Sequence, residues 1–171
     1  NNEIKEKTIT RTLRFNPGEL YSLKKVQQTR NNLLNLKIFN SVNISFEENK
    51  NKKIDCNIFL KQQKKLYYRI EAEGTNSSGN YGTSLNFMFG NKNTFKGAEN
   101  FNFKFKGALE TRKNLSSNES FFNIWEIGGE ASLKIPRILL PIKWNYIKSP
   151  STNFIFSFMK QQRPDFTRSI L

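Results

Sequence analysis

The chain has 171 residues and carries 28 Lys and Arg against 14 Asp and Glu, a formal net charge of +14. It contains no His and one Cys, which excludes Ser-His-Asp and Cys-His catalysis, an internal disulfide and a four-cysteine zinc site. No apolar run approaches the roughly 18 residues of a membrane-spanning helix, and the first residues lack the apolar core of a signal peptide. We therefore expect either a cytoplasmic chain or a targeting segment outside this sequence.

The first part of the chain mixes strand and helix patterns. Thr8–Phe15 alternates apolar and polar residues, which predicts a strand, and Asn16-Pro17-Gly18 supplies a turn after it. Apolar residues at helical spacing then predict a helix over Leu20–Leu36.

Two further strands complete this part. Phe39–Phe46 and Ile54–Lys61 both alternate, and the polar stretch Asn49–Lys53 between them predicts a hairpin turn. A helix and a sheet that each bury one face give a two-layer α+β unit. Cys56 is in phase with the apolar residues of its strand, so we expect it in the core. The other expected core residues are Leu13, Phe15, Leu23, Val26, Leu33, Phe39, Val42, Ile44, Ile54, Ile58 and Leu60.

From Lys65 onward the helical period disappears and alternation predicts about five antiparallel strands. These strands are Lys65–Gly74, Ser84–Phe89, Phe101–Glu110, Trp125–Ile135 and Phe154–Phe158. Turn-rich stretches separate them, namely Thr75–Gly82, Gly90–Asn100 and Thr111–Ser120. Pro136 and Pro141 cannot pair within a ladder, so we expect the fourth strand to end before them.

Each of these strands has an apolar face and a polar face. Strands of about 9–11 residues with two such faces are typical of outer-membrane barrels, and a soluble sheet packed on a core predicts the same period. Full charges on the polar face and many Phe residues on the apolar face favour the barrel. The charged residues expected to face the lumen are Lys104, Lys106, Glu110, Glu126 and Glu130. The aromatic residues expected to face lipid are Phe87, Phe101, Phe103, Phe105, Trp125, Phe154 and Phe156.

Both halves resemble a known family. Pro17–Ile44 is similar to the repeat of POTRA domains, which has a Gly-x-x-Tyr turn, a helix, and a Leu-x-x-Phe-x-x-Val-x-Ile pattern entering a strand. Those positions here are Gly18, Tyr21, Val26, Leu33, Leu36, Phe39, Val42 and Ile44. The second half resembles the start of the barrel that follows the last POTRA domain in the BamA/TamA superfamily, closest to its TamA-like branch. The similar stretches are Tyr67–Gly82, Asn91–Glu110, Ile135–Ile142 and Gln161–Arg168.

The resemblance implies an α+β POTRA domain over residues 1–63, the last before the barrel. It implies that residues 64–171 form the first strands of a sixteen-stranded antiparallel transmembrane β-barrel. Because an open sheet leaves its edge N–H and C=O groups unsatisfied in lipid, we expect the chain to be part of a longer protein. The implied location is the outer membrane of a Gram-negative bacterium, with the POTRA domain in the periplasm.

The function implied by the resemblance is insertion of outer-membrane proteins, with no catalytic residue, metal or cofactor. The first barrel strand would open at a lateral seam and template a client strand by β-augmentation. The seam residues are Leu66, Tyr67, Tyr68, Arg69, Ile70, Glu71, Ala72, Glu73 and Gly74. The implied partners are outer-membrane lipid, unfolded outer-membrane protein clients, and a periplasmic or inner-membrane protein bound by the POTRA domain.

Three alternatives stay open from the sequence alone. A secretion pore shares the plan of a POTRA domain and a barrel. The interleaved Phe and Lys of Phe101–Lys106 could instead bind single-stranded nucleic acid, although the barrel interpretation predicts no nucleic-acid partner and assigns basic rim residues to anionic headgroups. A soluble interaction module is the third.

Overall fold

The computed structural model describes residues 4–50, 52–77, 80–111, 123–139, 151–164 and 166–171. Pro141 and most of the predicted turn Thr111–Ser120 lie outside these residues. The chain forms two compact units. The first comprises Asn1–Lys65, Lys92–Asn100 and Lys134–Thr152, and the second Leu66–Asn91, Phe101–Leu133 and Asn153–Leu171. The predicted domain boundary after residue 63 stays a prediction.

The first unit contains two helices and a hairpin. The helices are α1 (Glu6–Thr10) and α2 (Leu23–Asn35), and the strands are β1 (Phe39–Glu48) and β2 (Ile54–Gln62). The two strands pair antiparallel, and α2 packs on β1. The helix and both strands predicted from residue 20 onward are confirmed, so this unit is a helix layer on a two-stranded sheet.

The core of the first unit forms where α2 meets the hairpin. Leu33 of α2 is fully buried, and Phe39 and Val42 of β1 are nearly so. The buried cluster comprises Ile4, Leu33, Leu36, Ile38, Phe39, Val42 and Ala98. Fully burying one such large aliphatic or aromatic side chain contributes about 1.5–3 kcal/mol.

The strand predicted over Thr8–Phe15 is wrong. Its first residues belong to α1, and its end is tied to α2 because the Arg14 amide donates to Thr29 Oγ1 at 2.9 Å. Ile9 packs against the buried cluster. Ile9 and Leu13 are four residues apart, a spacing that suits a helix as well as a strand, so the alternation was ambiguous.

The prediction of a core position is also wrong for three residues. Leu23 and Ile54 are each 58% exposed, and the Cys56 side chain is exposed. Ile54 and Cys56 lie opposite Glu48 and Phe46 near the hairpin turn. The apolar phase of β2 is therefore buried only at Ile58 and Leu60, which pack against the core cluster.

The second unit is built on a six-stranded sheet in the order of the chain. Its strands are β3 (Leu66–Ser77), β4 (Asn80–Asn91), β5 (Asn100–Glu110), β6 (Ile124–Ile135), β7 (Thr152–Gln162) and β8 (Thr167–Ile170). The pairs β3–β4, β4–β5 and β7–β8 are antiparallel. All five predicted strands are present, and β8 is an additional strand that the sequence did not predict.

The predicted loop Thr75–Gly82 is mostly strand. Asn76 lies opposite Tyr81 and Ser77 opposite Asn80, so the ladder includes all the described residues of this stretch. Polar side chains in this stretch suggested a loop, but backbone pairing does not require apolar residues. Within the described residues, no helix is long and apolar enough to cross a membrane.

Candidate functional site

The strand predicted to form a seam lies at an edge of the sheet. β3 contains all nine seam residues, Leu66 to Gly74, and among the described strands it pairs only with β4. Its other side therefore presents backbone N–H and C=O groups that an added strand can bond. The edge runs for 12 residues, which is long for an edge strand left uncovered.

The strand register sorts the side chains of β3, β4 and β5 onto two faces. Arg69 lies opposite Met88, and Met88 lies opposite Lys104. Tyr68, one residue earlier in β3, lies opposite Phe89, which faces Phe103. Directly opposed residues share a face, so Arg69 and Lys104 lie on one face of the sheet, and Tyr68, Phe89 and Phe103 lie on the other. We call the first the charged face and the second the apolar face.

Ion pairs link strands across the charged face. Lys104 Nζ lies 2.9 Å from Glu130 Oε1, and Lys106 Nζ lies 2.8 Å from Glu126 Oε1. Glu126 also accepts a hydrogen bond from Gln161 Nε2 at 3.3 Å. The structure thus brings together four of the five predicted lumen residues, while Glu110 lies opposite Gly82 further along β5.

The charged face is concave. It lines a cavity of about 560 Å³ with residues from β3 to β8, including Arg69, Lys106, Glu126 and Ile170. The lining thus combines charged side chains of both signs with apolar side chains such as Met88 and Met159.

A tyrosine crosses the charged face near the start of β3. Tyr67 lies opposite Gly90, which lies opposite Asn102. A Cβ atom added at Gly90 would lie 2.2 Å from Tyr67 Cζ, so the ring occupies the space of the missing side chain. The Tyr67 hydroxyl donates to Asn102 Oδ1. Sequence analysis did not find this contact, although a Gly in a strand interior is a signal of close approach.

The apolar face is uncovered among the described residues. Tyr68 is 79% exposed and Phe156 is 67% exposed. All seven residues predicted to face lipid lie in strands of this sheet, and register places Phe87 directly opposite Phe105. Trp125 also forms a cation–π contact with Lys160, whose ammonium lies 5.7 Å from the centre of the indole ring.

The connection between β4 and β5 folds into the first unit. Ala98 is buried in its core cluster, and Asn93 Oδ1 accepts a hydrogen bond from the Ala98 amide at 3.0 Å. Lys96 and Ala98 both adopt positive φ angles, 64° and 62°. The sequence predicted only a turn-rich stretch here, because burial of Ala98 depends on residues distant in the chain.

Within the described residues, no group of three or more metal-ligating side chains converges. What the chain presents is an α+β unit, an antiparallel sheet with an open edge, and two chemically opposite faces.

Comparison with known proteins finds a family model that matches the first part of the chain. Residues 1–71 match the model of the POTRA family, described as surface antigen variable number repeat. The POTRA repeat predicted over Pro17–Ile44 lies inside this matched region and is confirmed by it. No curated protein matches the chain.

One solved structure that matches is the crystal structure of BamA from Haemophilus ducreyi lacking POTRA domains 1–3. The identity is 12% and the TM-score 0.43, and the match covers 92% of this chain. The chain spans 33% of the length of that structure.

Proposed function

We propose that the chain belongs to an outer-membrane assembly factor in which the sheet is the first part of a closed transmembrane barrel and β3 templates client strands. The observation that carries this proposal is the uncovered apolar face on the sheet that begins with β3; in the closed barrel the β3 edge would meet the last strand at a seam that opens to clients. Such a factor performs no covalent chemistry. Its partners are outer-membrane lipid, unfolded outer-membrane protein clients and a protein bound by the POTRA domain in the periplasm.

The strand lengths match a bilayer. β3, β4 and β6 each have 12 residues, and at about 3.3 Å per residue such a strand extends about 40 Å. A tilt of about 45° reduces this to about 28 Å along the membrane normal, close to the roughly 30 Å hydrocarbon thickness. The match supports strands that cross the membrane once each.

The two faces support the same proposal. Leu66, Tyr68 and Ile70 expose apolar surface that would be unfavourable in water and favourable in lipid. The charged face carries paired ions beside open space, which suits a hydrated lumen. Closure into sixteen strands would remove the second edge at β8.

The pairing of charges counts against nucleic-acid binding by Phe101–Lys106. Lys104 and Lys106 pair with glutamates on the charged face, whereas Phe103 and Phe105 lie on the apolar face. A strand of nucleic acid could not contact the lysines and stack on the phenylalanines at once.

Templating is tested by disulfide crosslinking to a stalled client. Single cysteines replace Arg69, Ile70 and Glu71 in a Cys56→Ser background, and a client strand carries single cysteines at successive positions. We expect crosslinks in one register, each β3 position pairing with a particular client position, because an added strand aligns residue by residue. Cysteines at Asn86 and Phe87 of β4 are the matched control, since both sides of β4 are already paired.

Crosslinks that form equally at β3 and β4, or with no preferred register, would contradict templating. A translocated client that crosslinks to charged-face positions alone would indicate a secretion pore.

A further inference from the structure

The first unit contains a basic cleft, defined by Lys5, Lys7, Arg11 and Arg14 before α2 and by Lys134 and Arg137 at the end of β6. These side chains line a cavity of about 580 Å³, and all six residues are exposed. The volume lies in the range of about 300–1,000 Å³ that is usual for small-molecule sites.

The positive charge of the cleft is not neutralised by its lining. Its acidic lining residue, Glu99, is nearly buried, and its Oε2 accepts hydrogen bonds from the amides of Gly97 at 2.9 Å and Phe95 at 3.2 Å. Within the described part of the chain, Lys7, Arg11 and Arg137 form no ion pair. The charges of Lys7, Arg11 and Arg137 therefore remain available to attract a multiply charged anion.

The donor types in the cleft suit phosphate. Arg guanidinium groups donate two parallel hydrogen bonds to phosphate oxygens, and Lys ammonium groups add point charge. The hydroxyls of Thr8 and Ser151 line the same cavity and can donate further hydrogen bonds to phosphate oxygens, whereas the Thr12 hydroxyl already donates to the Ile9 carbonyl at 2.7 Å. A compact headgroup fits within a cavity of this size, whereas an extended polyanion needs a continuous groove.

Part of the cleft lies at the ends of sheet strands. Lys134 is the last residue but one of β6, and Arg137 follows two residues after Ile135. Glu99 directly precedes β5, which begins at Asn100. If these strands cross a bilayer, as the proposed function requires, residues at their ends lie at the level of lipid headgroups.

We propose that the basic cleft binds the phosphate headgroup of an anionic phospholipid. The proposal rests on the proposed function for the lipid source of the phosphate, while the anion site itself rests on the cleft residues. Occupation of the cleft would bring a lipid phosphate between the segment before α2 and the end of β6, two parts of the first unit.

The test uses water-soluble short-chain lipids, which require no bilayer. Binding of dihexanoyl phosphatidylglycerol and dihexanoyl phosphatidylcholine to the full chain in non-ionic detergent is measured by isothermal titration calorimetry. The cleft variant is Lys7→Gln, Arg11→Gln and Arg137→Gln. The control variant is Lys24→Gln, Lys50→Gln and Lys53→Gln, which removes the same charge from exposed positions of the same unit.

We expect the anionic lipid to bind the native chain and the control variant with similar affinity, and the cleft variant about tenfold or more weakly. The zwitterionic lipid should bind weakly to the native chain and to both variants. Added salt should weaken the binding of the anionic lipid. The single variant Arg137→Gln should show a smaller loss in the same direction, and circular dichroism confirms that each variant folds.

Equal affinity of the cleft and control variants would overturn the proposal. Displacement of the lipid by inorganic phosphate at the same concentration would assign the cleft to free phosphate, and binding of polyglutamate without lipid binding would assign it to acidic protein segments. Either result overturns the lipid assignment. Failure of the complete proposed barrel to enter bilayers, with lipid binding to the cleft intact, would instead overturn the proposed function alone.

Discussion

The contact between Tyr67 and Gly90 shows how one residue without a side chain organises the charged face. The tyrosine ring covers Gly90 and its hydroxyl donates to Asn102, so three neighbouring strands are joined by one side chain. An aromatic ring over a strand glycine recovers packing that the glycine by itself cannot supply.

Replacing Gly90 by Ala should therefore destabilise the sheet by about 1–3 kcal/mol, because the new methyl group displaces the ring and breaks its hydrogen bond. Gly107→Ala is the matched control, since no atom lies within 4 Å of a Cβ added there. Denaturant unfolding in detergent measures both. A loss at Gly107 as large as that at Gly90 would show that the Tyr67 contact is not the cause.

The ladder between β5 and β6 carries two ion pairs of different exposure. The Glu126 side chain is 16% exposed and accepts a second bond from Gln161, whereas the Glu130 side chain is 36% exposed. Exposed ion pairs contribute little because water screens them, and shielding from solvent increases the contribution.

We expect Glu126→Gln to lower the free energy of unfolding by about 1–2 kcal/mol and Glu130→Gln by less than about 1 kcal/mol. The double variant with Lys106→Gln should lose less than the sum of its single variants, since both remove one interaction. Equilibrium unfolding of the native chain, Glu126→Gln, Lys106→Gln and the double variant gives the coupling energy. Strict additivity would mean that the pair at 2.8 Å does not contribute.

At the scale of the whole molecule, the apolar face determines whether the sheet is more stable in water or in lipid. Its exposed residues run from Tyr68 on β3 to Phe156 on β7. A charge placed on such a face in the middle of a membrane costs about 2–4 kcal/mol.

Phe156→Lys, introduced into the closed barrel that the proposed function requires, should accordingly reduce the fraction of protein that inserts into lipid vesicles, measured by protease protection and urea titration. Ser157→Lys adds the same charge one residue along β7 and lines the concave charged face, so insertion should be nearly unchanged. Equal loss in both variants would contradict a lipid-facing role for the apolar face and would favour a soluble sheet covered by a partner.

Local patterns predicted much of this fold. The alternation of Phe103, Lys104 and Phe105 predicted both the strand β5 and the segregation of its side chains, because a strand turns successive residues to opposite faces. The pattern failed at Thr8–Phe15, where docking on α2 decided the conformation, and at Cys56, where the apolar phase extends beyond the core.

Sequence alone determined the period of each main element, the residues that share a face, and the POTRA repeat. All of these depend on residues that are close together in the chain. Only the tertiary structure decided that β3 is an edge, that Lys106 meets Glu126, and that Ala98 enters the core of the first unit. These features depend on contacts between residues that are far apart in the sequence. The local spacing of residue types does not specify which distant residues come into contact.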